Sequence, residues 1–130
     1  FRFIQESDGK IYLWESPKQR ELLKVSTHPK FSNSNERLNV SCLCYLDKGE
    51  MDMLAIGLND GKVALMTFDD RRITLLDTDQ GRNVTAVGQD DYGRIYVCDS
   101  SGHVFYFDTY LNDTTGSFFT QFLFQNLIYY

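Results

Sequence analysis

The chain has 130 residues, the length of one ordinary domain, and its 42% hydrophobic and 24% charged residues exclude both a disordered segment and a chain of membrane spans. A net charge of −5 with scattered basic residues repels phosphate backbones, so no direct nucleic-acid ligand is expected. An aromatic share of 15%, with nine Gly and two Pro, favours strands joined by tight turns, so an all-β fold is expected.

Taken in chain order, the first element is a hairpin over residues 1–15, FRFIQESDGKIYLWE. Gly9 supplies the positive φ of a tight turn, and Asp8 before it can bond its own backbone. The opening FRFIQ has no initiator Met, basic leader or apolar signal segment, so the chain is expected to be a fragment of something longer. A third strand, ELLKVS, follows. Residues 26–37, STHPKFSNSNER, are polar and turn-rich and read as a loop inserted between strands, with His28, Lys30 and Phe31 as candidate interaction residues.

The next strand, LNVSCLCYL, leads to a second hairpin, MDMLAIGLNDGKVALMTF, that turns at Gly61 and ends near Met66. The turn that follows carries the candidate interaction residues Asp69, Arg71 and Arg72, and ITLLDT is the strand after it. NVTAVGQD then leads through a turn with candidates Asp90 and Tyr92 into a third hairpin, YGRIYVCDSSGHVFYFD, that turns at Gly102 and ends near Phe107. Beyond Asp108, TYLNDTTGS is a loop. The last thirteen residues, FFTQFLFQNLIYY, fit two readings: an outer strand FFTQFLF, or an amphipathic helix, because Phe119, Leu123 and Leu127 recur at spacing four. With Thr, two Gln and Asn, that run falls short of the roughly 20 apolar residues a membrane helix needs, and no span is expected.

The three hairpins share a register. After each turn glycine come one polar residue, a β-branched residue (Ile11, Val63, Val104), any residue, and a large apolar pair: Leu13-Trp14, Leu65-Met66, Tyr106-Phe107. Positions two and four after the glycine face one side of a strand and position five faces the other. Both faces are therefore apolar at the strand's end, as expected of a sheet packed between two neighbouring sheets. Gly61 and Gly102 are 41 residues apart and Gly9 and Gly61 are 52 apart; removing the inserted loop brings the first interval close to the second. Each repeat then reads as a four-stranded meander, the first over residues 1–26, the second over 38–78 and the third over 82–124.

GKIYLWE, Gly9 to Glu15, resembles the end of a WD40-type repeat, in which a turn glycine leads through an alternating strand to Trp-Asp. Trp14-Glu15, Met66-Thr67 and Phe107-Asp108 stand at that place in the three copies, and the period is close to the roughly 40–45 residues of a propeller blade. The third repeat is also similar to those of ligand-sensing and other divergent propellers. The Gly-His pair that precedes the inner strand in the family is absent, so packing rather than the family's His, Ser/Thr, Asp and Trp network is expected to hold the sheets. The resemblance implies a partial β-propeller of about three four-stranded antiparallel blades, a single domain over 1–130 and part of a larger propeller. Gly9, Trp14, Gly61, Met66, Gly102 and Phe107 are its structural positions. Propellers typically have four to eight blades, so three leave faces and edges to be covered by other protein.

No catalytic set is visible. The two histidines, His28 and His103, sit in a loop and a turn, the acidic pairs Asp69-Asp70 and Asp90-Asp91 lie in turns where Asp is common, and no phosphate-binding, zinc-protease or calcium loop occurs. Three cysteines without framework spacing read as reduced, buried thiols in an intracellular protein, in cytoplasm or nucleus, and no metal or cofactor is expected. The expected function is a non-catalytic scaffold for protein-protein interaction, a WD-repeat-like subunit of a multi-subunit complex. The alternative is a ligand-sensing or enzymatic propeller with a site at the central opening.

Overall fold

A computed structural model of the chain describes residues 2–15, 18–25, 28, 31, 38–47, 52–108 and 119–124. Among the described residues there are eleven strands and no helix, arranged in three antiparallel sheets, as the turn-and-alternation pattern requires. Two compact units contain them, Phe1–Val40 and Ser41–Tyr130.

The first unit holds the sheet β1 (Arg2–Ser7), β2 (Lys10–Glu15) and β3 (Lys18–Lys24), in that order. Four strands were the expectation for every sheet; this one has three among the described residues. Ser7 pairs with Lys10, which leaves Asp8-Gly9 as a two-residue loop, and φ values of 53° and 76° at the two positions match the mirror-image turn that suits the right-handed twist of a hairpin. The Val25 N–H donates to the Gly9 carbonyl at 2.9 Å and ties the end of the third strand back to the turn. Ile11, Leu13, Leu22, Leu23 and Val25 are buried. Most of the inserted loop lies outside the described residues.

The second unit contains two four-stranded meanders. One is β4 (Val40–Leu46), β5 (Met53–Leu58), β6 (Lys62–Thr67) and β7 (Ile73–Asp77); the other is β8 (Val84–Gln89), β9 (Ile95–Asp99), β10 (Val104–Asp108) and β11 (Phe119–Phe124). The register of both central hairpins leaves three-residue loops that end in a glycine, Gly61 at φ 89° and Gly102 at φ 83°. They are one residue longer than the first hairpin. Gly61 is doubly constrained, since a Cβ there would also come within 3.0 Å of the Gly81 and Arg82 backbone nitrogens. The Thr78 hydroxyl and N–H both donate to the Gly61 carbonyl, at 2.8 and 3.2 Å, repeating the tie made by Val25 in the first sheet. Of the two readings of the chain's end, the strand holds for Phe119–Phe124, which pairs antiparallel with β10; residues 125–130 lie outside the described residues.

The core of this unit lies between its two sheets. Leu46, Met53, Ala55, Val63, Leu65 and Leu76 of the β4–β7 sheet form one cluster with Val84, Ile95, Val97, Phe105 and Phe107 of the β8–β11 sheet. The sheets approach closely at Gly57: a Cβ there would come within 2.9 Å of a Val84 methyl in the facing sheet, and would collide with the Cys42 sulfur on the neighbouring strand. Beside it the Ser41 hydroxyl donates to the Val84 carbonyl at 2.6 Å, so the first strands of the two sheets are linked by a polar bond as well as by packing.

Candidate interaction surfaces

The three sheets differ in how their faces are covered. Every residue of β5 is buried, as is every residue of β6 except Lys62, so the β4–β7 sheet is covered on both sides at its centre. The other two sheets each keep one half-exposed face, and both of these faces are aromatic.

On the β1–β3 sheet the half-exposed face carries Phe3, Tyr12 and Trp14, the third and fifth positions after the turn glycine and the residue paired with Trp14. Phe3 is 43% exposed, and its ring stacks on Trp14 with centroids 5.7 Å apart and planes 10° from parallel. The Trp14 indole N–H donates to the Gln5 side chain at 2.8 Å, which fixes the ring's orientation. Gln5 and Glu21 pair with Tyr12 from either side and share the same face.

On the β8–β11 sheet the half-exposed face carries Tyr96, Cys98 and Tyr106, with Val104 at its buried edge. The Tyr96 and Tyr106 rings lie 6.0 Å apart. Asp90 organises the turn beside them. One carboxylate oxygen accepts the Tyr92 and Arg94 N–H groups at 2.9 and 3.0 Å; the other accepts Arg94 Nε at 2.8 Å and the Tyr96 hydroxyl at 3.1 Å. Burial pushes this carboxyl up, but the Arg94 amide and guanidinium, the Tyr92 amide and the Tyr96 hydroxyl together outweigh it and hold the group below the usual carboxylate range. The reciprocal bond raises the Arg94 guanidinium further, and burial together with the hydrogen bond to Asp90 raises the Tyr96 phenol. Arg94 lies 5.4 Å from the Tyr92 ring centroid and 5.9 Å from that of Tyr106, so one cation is held against two aromatic rings. Tyr92 itself is 82% exposed.

The remaining sequence candidates fall in three places. Met66 and Phe107 are fully buried, whereas Trp14 at the equivalent position is half-exposed. His28 and Phe31 meet edge-on with centroids 5.6 Å apart; Phe31 is 4% exposed and is spent on packing, and Lys30 lies outside the described residues. Asp69, Arg71 and Arg72 are exposed in the β6–β7 turn, where Arg71 has φ 54°. The polar groups of that turn serve each other: the Thr67 hydroxyl donates to Asp70, and the Arg72 N–H donates to Thr67 Oγ1 at 3.0 Å and to Asp70 at 3.2 Å. The Thr67 hydroxyl and then the Arg72 amide hold the Asp70 carboxyl below its ordinary value. Asp99, buried in the third hairpin, likewise accepts the Ser101 and His103 N–H groups at 2.9 and 3.0 Å with one oxygen, and its other oxygen lies 3.4 Å from His103 Nδ1.

Residue types alone single out neither Phe3 nor the trio Arg94, Tyr96 and Tyr106 as surface candidates. Counting back through a two-residue turn places Phe3 opposite Trp14, a signal present in the sequence; the convergence of Arg94 and two tyrosines on Asp90 is visible only in three dimensions. The cysteines, expected buried, are free and only partly buried, and burial raises all three thiols above their ordinary values. Cys42 and Cys44 do share a face, both packed against the core cluster. Among the described residues no group of three His, Cys, Asp or Glu could hold a metal ion, and no helix is long and apolar enough to cross a membrane. No protein-family model and no curated protein matches the chain.

Proposed function

We propose that the chain is a non-catalytic protein-protein interaction module, built of divergent propeller-type repeats similar to WD40 blades, that acts as a scaffold within a multi-protein assembly. One observation carries this reading: two sheets each present an ordered, half-exposed aromatic face, while the central strands β5 and β6 of the third are buried. Rings held by stacking and by hydrogen bonds lose little freedom when a partner covers them, and aromatic residues and Arg are the types enriched at such contacts. The acidic net charge of −5 supports protein rather than nucleic-acid partners, and three free thiols suit a reducing compartment such as cytoplasm or nucleus.

The test places a photo-crosslinking amino acid at position 14 or position 106 in the full chain expressed in cells. Ultraviolet irradiation is expected to give covalent adducts to polypeptide at both positions, and none at the buried position 56. Failure to crosslink at both half-exposed positions, together with a thermal stabilisation of the purified chain by a metabolite, would overturn the reading in favour of a ligand-sensing propeller.

A further inference from the structure

The hairpins of the three sheets match residue by residue from their turn glycines. Lys10 and His103 each follow a turn glycine; Lys10 pairs with Ser7, and the Asp99 N–H donates to the His103 carbonyl at 3.1 Å. Ser7 therefore corresponds to Asp99, Glu6 to Cys98 and Ile4 to Tyr96. The strand after each of the first two hairpins corresponds as well, because Val25 ties back to Gly9 as Thr78 does to Gly61. What the first sheet lacks, among the described residues, is a counterpart of β4 and β8, the strands that flank the hairpins of the other two sheets. Its place is the outer edge of β1. Because the two-residue loop makes Ser7 and Lys10 a hydrogen-bonded pair, the backbone groups of Phe3 and Gln5 are directed at β2, and those of Ile4 and Glu6 point away from it.

The two strands that hold this place elsewhere in the chain are alike. Asn39-Val40-Ser41-Cys42-Leu43-Cys44 and Asn83-Val84-Thr85-Ala86-Val87-Gly88 share the order Asn, Val, hydroxyl, small, aliphatic, small, and neither stretch carries a charge. Ala86 and Gly88 pair with Cys98 and Tyr96, the counterparts of Glu6 and Ile4, and the Thr85 hydroxyl donates to the Cys98 carbonyl at 3.2 Å. We propose that the β1 edge binds an extended segment of a partner polypeptide with this order of residues, added antiparallel as a fourth strand. The inference deepens the interaction-module reading and rests on it, adding a contact made by backbone rather than by aromatic faces. The complementarity lies in hydrogen-bond spacing. The N–H and C=O groups of Ile4 and Glu6 stand where Tyr96 and Cys98 meet Gly88 and Ala86, and an edge of that kind is a template for a further strand.

The probe is a synthetic peptide of residues 82–89, RNVTAVGQ, added to the full chain. At about ten times its Kd, the Ile4 and Glu6 amides are expected to exchange about tenfold more slowly in residue-resolved NMR, since exchange then runs through the roughly one chain in ten left free. A peptide of the same composition in scrambled order is expected not to bind. Methylating the peptide nitrogen of Ala86 or of Gly88, which face the edge, is expected to abolish binding read by fluorescence anisotropy of labelled peptide; methylating that of Val87, on the far side, is expected to preserve it. No binding, equal loss from all three methylations, or protection in β9 in place of β1 would each overturn the proposal. A chain that self-associates without peptide, with Ile4 and Glu6 protected as its concentration rises, would overturn the partner in favour of a second copy. Failure of the peptide alongside crosslinks at positions 14 and 106 overturns the edge alone; failure of both overturns the interaction-module reading as well.

Discussion

Asp90 concentrates four hydrogen bonds on one side chain, joining a turn to the strand that follows it. Its carboxyl titrates below the ordinary value in the folded chain, so its contribution is complete above the unfolded pKa of about 4 and is lost as the pH falls through the folded value. Asp90→Asn, which keeps one acceptor and turns the other oxygen into a donor facing Arg94 and Tyr96, is expected to cost roughly 1 kcal/mol at neutral pH. Urea midpoints measured at neutral pH and again at about pH 3 should show the gap between wild type and variant shrinking in acid. A gap of the same size at both pH values would show that the charge of Asp90 contributes nothing. An Asp in a Q-D-D-Y-G stretch is legible as a turn residue because short side chains bond their own backbone. That the same carboxylate also takes the Arg94 guanidinium and the Tyr96 hydroxyl depends on where the hairpin aims those side chains, which residue types do not reveal.

At the level of elements, Gly57 sets how closely the two sheets of the second unit approach. Its backbone is not in the left-handed region, so the cost of a side chain there is steric: an added methyl meets Cys42 of the neighbouring strand and Val84 of the facing sheet. Gly57→Ala is expected to destabilise the chain by about 1–3 kcal/mol, read from denaturant unfolding. Adding Cys42→Ala should recover part of that loss, so the double variant falls short of the sum of the singles; strict additivity would mean that the crowding is relieved elsewhere. The alternation after each turn glycine is legible in the sequence because a strand's period of two is imposed by the pleat itself. The strand β11 is not, since Phe119, Leu123 and Leu127 fit a helix equally well and pairing with β10 decides the matter. Nor is loop length: S-D-G and L-N-D-G look alike on paper, yet the first closes in two residues and the second in three.

For the whole molecule, the distribution of burial predicts a distribution of local stability. Strands β5 and β6 are covered on both faces and sit between two hydrogen-bonded neighbours, whereas β1 and β3 are the edges of a three-stranded sheet and β3 is exposed from Lys18 to Glu21. Amide hydrogen exchange is expected to be slowest in β5 and β6 and fastest in β3, because opening an edge strand exposes little apolar surface; equal protection in all three would contradict the burial pattern. The sequence pattern makes the strand after each turn glycine apolar on both sides near its end, and that much is legible before any coordinates. Which faces stay open depends on what neighbours them, and so lies beyond local periodicity.

That Val63 and Leu65, second and fourth after their turn glycine, pack in one cluster with Phe105 and Phe107, third and fifth after theirs, bears on how such a chain can lengthen. A layer whose front suits the back of its own kind can be copied whole by tandem duplication of its coding segment, and the copy arrives already matched to the layers on either side. Polarity of this sort turns growth into a matter of counting repeats, with no new contact chemistry to evolve at each step.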